Sequence, residues 1–89
     1  MVPDHPEIGR ELPYDDLLPG MLVAAYAENE PGLIFQLWVT GQETARAVLL
    51  HSHILHFDMK LYIESDGSFR DWKGTVIRLH EHRGPIDNL

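Results

Sequence analysis

Histidines in two short clusters are the residues of this chain whose spacing could support chemistry. One cluster is His-Ser-His at 51–53 and the other is His-Glu-His at 80–82. In an extended strand, residues i and i+2 point to the same face, so each cluster would present two imidazoles side by side. Neutral imidazole is a common ligand of zinc and other transition metals, and neighbouring strands would bring the clusters together. The candidate metal ligands are His51, His53, His80 and His82.

Two simpler interpretations of the histidine clusters stay open. Imidazoles at strand ends can be ordinary polar residues of a sheet, and on that interpretation the protein has no cofactor. Alternatively, the histidines sense pH, because unperturbed imidazoles titrate at about pH 6.5. Protonation of all six would change the formal charge from −7 to about −1. A complex held by electrostatic attraction would then change its affinity with pH.

The other reactive residue types do not form an enzyme signature. The chain contains no cysteine, which excludes disulfides, thiolate chemistry and cysteine-rich zinc sites. It also has no G-x-S-x-G nucleophile motif and no glycine-rich phosphate loop. Ser52 lies between two histidines in sequence, but in a strand it would face away from both. We therefore predict that the protein is not an enzyme.

Acidic residues are concentrated in the N-terminal third of the chain. Residues 1–30 carry seven acidic side chains and one basic side chain. Binding to nucleic-acid phosphates needs clustered lysine and arginine, so we expect no nucleic-acid partner. A partner protein with a basic surface fits this charge better. The acidic residues that we expect to form one patch at an edge of the sheet are Asp15, Asp16, Glu28 and Glu30.

Trp72 is the aromatic residue whose neighbours most favour exposure. It is flanked by Asp71 and Lys73, with Arg70 two residues before it. Partly exposed aromatic and arginine side chains are favoured anchors in protein interfaces. We therefore expect Trp72 to be half-exposed, either as a cap on one end of a small barrel or as an interface anchor, and add Trp72 and Arg70 to the candidate partner-binding residues.

Glycine and proline divide the chain into segments of strand length, with breaks at 19–20, 31–32, 41, 66–67, 74 and 84–85. Apolar or alternating stretches lie between the breaks, at 21–28, 33–40, 59–64 and 75–82. This spacing predicts a mainly β fold, either a curved sheet or an SH3-like or OB-like barrel of about five strands.

Residues 42–56 fit both a strand and a helix. Thr40-Gly41-Gln42-Glu43 has the T-x-x-E form of a capping box, which would start one short helix and make the fold α+β. The strand alternative gives two mostly apolar faces, as in a buried strand. We favour a strand over 44–51.

Two turns have specific chemistry. In Ser65-Asp66-Gly67-Ser68, the Asp-Gly pair predicts a type I′ hairpin turn. Glu30-Pro31-Gly32 suits a type II turn, in which the glycine takes a positive φ.

The chain is predicted to be a single domain with an irregular, proline-rich, acidic arm over 1–19, a compact β domain over 20–84 and a tail over 85–89. Part of the arm should pack on the domain because it contains several leucines, and 15–18 could form a short turn. The segment LLPGMLV at 17–23 resembles the L-x-P-G-M-x-V opening of many small β-barrel modules. That resemblance implies a loop leading into a first strand.

These observations favour a small acidic protein-binding module or inhibitor that occupies a partner's basic surface. An accessory protein of a phage or mobile element would fit this description. The alternative is a small barrel that binds a metal or small ligand through its His-x-His pairs. The longest apolar runs fall far short of the roughly 20 residues of a membrane span, and the lack of cysteine favours a cytoplasmic location. An open sheet edge could also pair two copies into a homodimer.

Overall fold

The computed structural model describes residues 8–43 and 46–83, which contain seven strands and one 3₁₀ helix. The strands are β1 Ile8–Glu11, β2 Leu22–Ala27, β3 Phe35–Glu43, β4 Ala47–Ser52, β5 Phe57–Ile63, β6 Phe69–Arg70 and β7 Val76–His82. The 3₁₀ helix is Tyr14–Asp16. Within these residues, no helical segment has the length and hydropathy of a bilayer crossing.

The strands form a closed six-stranded barrel with one additional strand outside it. Around the barrel the order is β7-β2-β3-β4-β5-β6, and β6 pairs back onto β7 to close it. β1 pairs with β7 from outside, and every pairing is antiparallel. The predicted small, mainly β barrel is therefore confirmed. It has more strands than the predicted five because the arm contributes β1 and the short β6 separates two tight turns.

Alternation along the strands produces the core. Inward-facing apolar side chains from the barrel strands meet inside it, and each buried leucine or valine contributes roughly 1.5–3 kcal/mol. The core residues on the strands are Val23, Ala25, Leu37, Val39, Val48, Leu50, Leu61, Phe69, Ile77 and Leu79.

The ambiguous segment 42–56 contains a strand, as favoured, and no helix among its described residues. β4 covers Ala47–Ser52 and pairs with β3 on one side and β5 on the other. Glu43, the residue expected to cap a helix, ends β3 and forms an ion pair of 3.0 Å with Lys60 of β5. Pairing on both sides satisfies the backbone of this segment and buries its apolar residues, which outweighs the local capping signal. Residues 44 and 45 lie outside the described part of the chain.

The arm was predicted to be irregular, and this is wrong for residues 8–11, which form β1. Its pairing with β7 has a bulge, and two side chains of β7 satisfy the backbone there. His80 Nδ1 lies 3.0 Å from the Gly9 oxygen, and the Arg10 N–H donates to Glu81 Oε1 at 3.2 Å. These partners are distant in sequence, so the local pattern of the arm could not indicate a strand. Residues 1–7 and 84–89, which include the predicted tail, lie outside the described residues.

The two predicted turn types are both incorrect. At 64–68, the Gly67 N–H donates to the Glu64 oxygen, the Glu64 N–H donates to the Ser68 oxygen, and Gly67 has a φ of 87°. Asp66 does not take the positive φ that a type I′ turn requires, so this is a three-residue loop with a type I turn and a glycine bulge. At 30–33, the Leu33 N–H donates to the Glu30 oxygen, but Gly32 lacks the positive φ of a type II turn.

The barrel has two unlike ends. At the arm end, residues 12–21 cross the barrel opening, Leu12 and Leu17 are buried in the core, and the Gly20 N–H donates to the Val39 oxygen at 2.7 Å. At the other end, which we call the free end, three loops join consecutive strands: 28–34, 53–56 and 71–75. The arm therefore covers one opening, and the free end is formed by hairpin loops.

Candidate functional site

The conformation of the loop at 71–75 is fixed by hydrogen bonds among its own residues and by one from the preceding Arg70. Asp71 Oδ1 accepts the N–H groups of Lys73 and Thr75, both at 2.9 Å. The Gly74 N–H donates to the backbone carbonyl oxygen of Asp71 at 3.0 Å, and Gly74 has a φ of 84°. Arg70 Nη1 also donates to the Gly74 oxygen at 3.0 Å. The backbone that carries residue 72 is thus fixed before any partner binds.

Trp72 lies at the tip of this fixed loop and is 80% exposed. It was predicted to be half-exposed, and it is more exposed than that because no other element covers the turn. The Lys73 ammonium lies 5.0 Å from the centroid of the Trp72 ring. Such an exposed cation–π contact contributes about 0.5–1 kcal/mol. The indole is therefore presented to solvent on a rigid support.

Other large apolar side chains are exposed on the same end of the barrel. Leu33 lies in loop 28–34, and Ile54 and Leu55 lie in loop 53–56. Loop 53–56 is tied to β4, because Ser52 Oγ accepts the Leu55 N–H at 3.0 Å. Exposed apolar residues are ordinary when they are scattered, whereas grouping on one end is typical of an interaction surface. We define the free-end surface as Leu33, Ile54, Leu55 and Trp72.

Charged residues border the free-end surface on one side. A groove of about 300 Å³ lies between Glu28 and Asn29 of loop 28–34 and the turn after Trp72. The Glu28 carboxylate is paired with Arg78 at 2.8 Å, whereas Glu30 forms no ion pair within the described chain. Arg78 also binds Glu11 at 2.7 Å, and this hydrogen bond raises the pKa of Arg78 above its ordinary value. Within the described chain, Glu30 of the same loop is therefore a carboxylate without an ion-pair partner.

Asp15 and Asp16 do not belong to the same patch as Glu28 and Glu30, contrary to the prediction. They lie in the 3₁₀ helix at the arm end, and Asp16 is neutralised by Arg10 at 3.0 Å. The separation arises because the arm crosses the barrel opening opposite the free end.

The predicted four-histidine site does not form, because β4 and β7 are not neighbours. Two strands separate them in either direction around the barrel, so the two clusters lie on opposite sides. His80 is buried, and both of its ring nitrogens have partners, the Tyr26 hydroxyl and the Gly9 oxygen. His82 pairs with Ile8 of β1. Within residues 8–43 and 46–83, no group of three or more potential ligand side chains could hold a metal ion.

His51 and His53 do come together, as their spacing predicted. Their ring centroids are 5.0 Å apart. Asp58, directly opposite His51 on β5, lies 2.8 Å from its Nδ1. Trp38, opposite His51 on β3, has its ring 5.5 Å from that of His53 in an edge-on contact. Sequence spacing found the two histidines but not Asp58, which depends on the pairing of β4 with β5.

A groove of about 590 Å³ lies between β1 and β6 along β7. Two arginines line this groove: Arg78 is paired with Glu11 and Glu28, and Arg70 lies 3.9 Å from Glu64 and donates to the Gly74 oxygen. The Asp66 carboxylate there accepts hydrogen bonds from Ser68, which lower the pKa of Asp66. These polar groups therefore bind each other and do not converge on an open position.

Asp71 and Gly74 are the site residues that sequence reasoning missed. The loop at 71–75 repeats the geometry of 64–68, with a glycine of positive φ three residues after the first residue. That glycine spacing could have predicted the turn from the sequence.

Comparison of the chain with protein-family models, with curated proteins and with solved structures finds no match in any of the three.

Proposed function

We propose that the protein is a small protein-binding module that acts by occupying the surface of a partner, with the free-end surface as its docking site. The observation that carries this proposal is Trp72, 80% exposed on a turn fixed by Asp71 and Gly74. Interface anchors are enriched in tryptophan, and a rigid support reduces the entropy lost on binding. The exposed residues Leu33, Ile54 and Leu55, which lie in the other two loops at the same end of the barrel, would add apolar area to the interface.

The proposed partner carries basic residues beside an apolar patch. The chain has a formal charge of −7, and Glu30, which forms no ion pair among the described residues, lies in the same loop as Leu33 of the free-end surface. Such complementarity favours encounter with a basic partner. Arg70 supports the Trp72 turn through Gly74, so its proposed role is to position the anchor. Inhibition would follow if the occupied surface is the partner's own working site. A cytoplasmic location and an accessory role in a phage or mobile element stay predictions from composition.

Homodimer formation also stays a prediction. Among the described strands, β6 pairs with only Tyr62 and Ile63 of β5, which leaves residues 57–61 unpaired on that side, and the other unpaired edge is the outer one of β1. Its four residues would give a short interface. We therefore favour a different protein as the occupant of the free-end surface.

Photo-crosslinking from position 72 tests the proposal. A photoreactive phenylalanine derivative replaces Trp72 in one variant and the exposed Tyr62 of β5 in a control variant. The expected result is a partner that crosslinks from position 72 and not from position 62. Affinity for that purified partner is then measured with Trp72→Ala and Tyr62→Ala. Loss of an anchor costs at least about 2 kcal/mol, or roughly 30-fold in affinity. Equal affinity of Trp72→Ala and the unmodified protein would contradict the proposal.

A further inference from the structure

We propose that His51 and His53 form a two-histidine site for a divalent transition-metal cation on the outer face of the barrel, with Asp58 as the residue that positions His51. This site shares loop 53–56 with the free-end surface, but it does not rest on the function proposed above. It uses half of the predicted four-histidine set and adds a carboxylate from the neighbouring strand.

The two imidazoles are close enough to share one ion. His51 alternates with the buried Leu50 and Ser52 and so points outward from β4, with its side chain 32% exposed. The exposed His53 follows the end of β4, and the ring centroids are 5.0 Å apart. An ion bound at about 2.1 Å from each nitrogen needs those nitrogens within roughly 4.2 Å of each other. Rings at this centroid distance meet that requirement when their nitrogen-bearing edges converge.

Asp58 sets the tautomer of His51. A carboxylate accepts hydrogen bonds, so the contact of 2.8 Å places the proton of the neutral ring on Nδ1. The lone pair of Nε2 is then available to a metal. A carboxylate behind a ligating histidine orients the ring and increases its basicity. Asp58 forms no ion pair with a lysine or arginine in the described chain, and it is 84% exposed.

His53 is oriented by packing. Its ring lies edge-on to Trp38, with centroids 5.5 Å apart and planes at 72°. Trp38 lies opposite His51 in the pairing of β3 with β4, so the indole supports the same outward-facing row. This contact packs the ring of His53 against the indole. Both ligands are therefore partly ordered in the absence of an ion.

The site has two protein ligands, and water would complete the coordination. Within residues 8–43 and 46–83, no group of three or more potential ligands that could hold a metal ion forms here. Open coordination and imidazole ligands suit Cu²⁺, Ni²⁺ and Zn²⁺, with Cu²⁺ bound most tightly. The negative charge of the protein favours a cation at its surface. His80 provides no competing site because Tyr26 and Gly9 occupy its two nitrogens.

NMR titration of the untagged protein with Zn²⁺ tests the site. The imidazole resonances of His51 and His53 should shift together with a stoichiometry of one ion per chain. The single variants His51→Ala and His53→Ala should each lose this binding. His56→Asn is the matched control, because it removes an exposed histidine of the same loop and asparagine tolerates the positive φ found there. Unchanged affinity in both alanine variants, or no shift of the two rings, would overturn the proposal.

A second variant tests the role of Asp58. Asp58→Ala should weaken Zn²⁺ binding by about 10–100-fold, which is the usual effect of losing such a carboxylate. It should also change the nitrogen shifts of His51, because the proton is no longer held on Nδ1. The amide spectrum reports whether the fold is retained. A folded Asp58→Ala protein with unchanged affinity and an unchanged His51 tautomer would show that Asp58 does not position this histidine.

Discussion

The hydroxyl of Tyr26 lies 3.0 Å from Nε2 of His80, and the two rings are stacked with centroids 5.4 Å apart. The other ring nitrogen of His80 contacts the Gly9 oxygen, which can only accept a hydrogen bond. In the neutral ring, Nδ1 therefore donates to Gly9 and Nε2 accepts from Tyr26. One imidazole thus connects β2, β7 and the outside strand β1.

Removal of the Tyr26 hydroxyl should destabilise the protein. Tyr26→Phe leaves Nε2 of a buried histidine without its donor, at a cost of about 1–3 kcal/mol in the free energy of unfolding. Urea denaturation measures this change. Tyr62→Phe, at an exposed position, is the control and should alter stability by less than about 0.5 kcal/mol. Equal effects of the two substitutions would show that the Tyr26–His80 contact contributes nothing.

Alkaline pH should destabilise the protein through Tyr26. Burial raises the pKa of Tyr26 above 10.0, and the negative charges of Glu11 and Glu28 add to this shift, opposed by Arg78. At pH values between the pKa of Tyr26 in the unfolded protein and its higher pKa in the folded protein, the folded state holds the phenol proton more tightly. The contribution to stability is therefore complete below about pH 10 and is lost as pH rises through the folded pKa.

Unfolding free energies measured across that alkaline range test this dependence. Tyr26→Phe should show a smaller loss than the unmodified protein. Part of the loss should persist in both, because the hydrogen bond to Glu43 raises the pKa of Lys60 in the same range. Parallel pH curves for the two proteins would contradict the assignment to Tyr26.

Two adjacent leucines of the arm should differ in how much stability is lost when each is replaced by alanine. Leu17 is 1% exposed and belongs to the barrel core, whereas Leu18 is 63% exposed. Leu17→Ala should cost about 2–5 kcal/mol because it leaves a cavity. Leu18→Ala should change stability by no more than about 0.5 kcal/mol. Thermal and urea unfolding of the pair measure this difference, and similar values for both would mean that the arm does not close the barrel.

Substitution by alanine should change the stability of the protein differently at two glycines. A Cβ at Gly74 or at Gly32 meets no atom within 4 Å, but only Gly74 has a positive φ. Gly74→Ala should therefore cost about 1–2 kcal/mol from backbone strain alone. Gly32→Ala should be neutral or stabilise by about 0.4–1 kcal/mol, because it restricts the unfolded chain. Unfolding free energies of both variants show whether the loss comes from backbone strain at a positive φ. A loss of stability in Gly32→Ala would contradict the turn geometry found at 30–33.

The Trp72 turn illustrates how far local patterns can predict a site. The charged neighbours of Trp72 indicated exposure, and Gly74 marked a break in the chain. The hydrogen bonds that Asp71 Oδ1 accepts in this turn are also local, within four residues, so the sequence alone could have predicted them. The grouping of Trp72 with Leu33 and Ile54 was not available, because it depends on which hairpins share one end of the barrel.

The sequence by itself determined the mainly β character, the strand-length segments, the acidic charge and the outward pairing of His51 with His53. Each depends on composition or on alternation between i and i+2, which a strand expresses wherever it lies. Only the tertiary structure decided that β4 and β7 stand apart, that Asp58 meets His51, and that Leu12 and Leu17 close the barrel. These relationships follow from strand order and register, which arise when the whole core is buried at once. A local pattern carries no information about which distant strand will supply the partner.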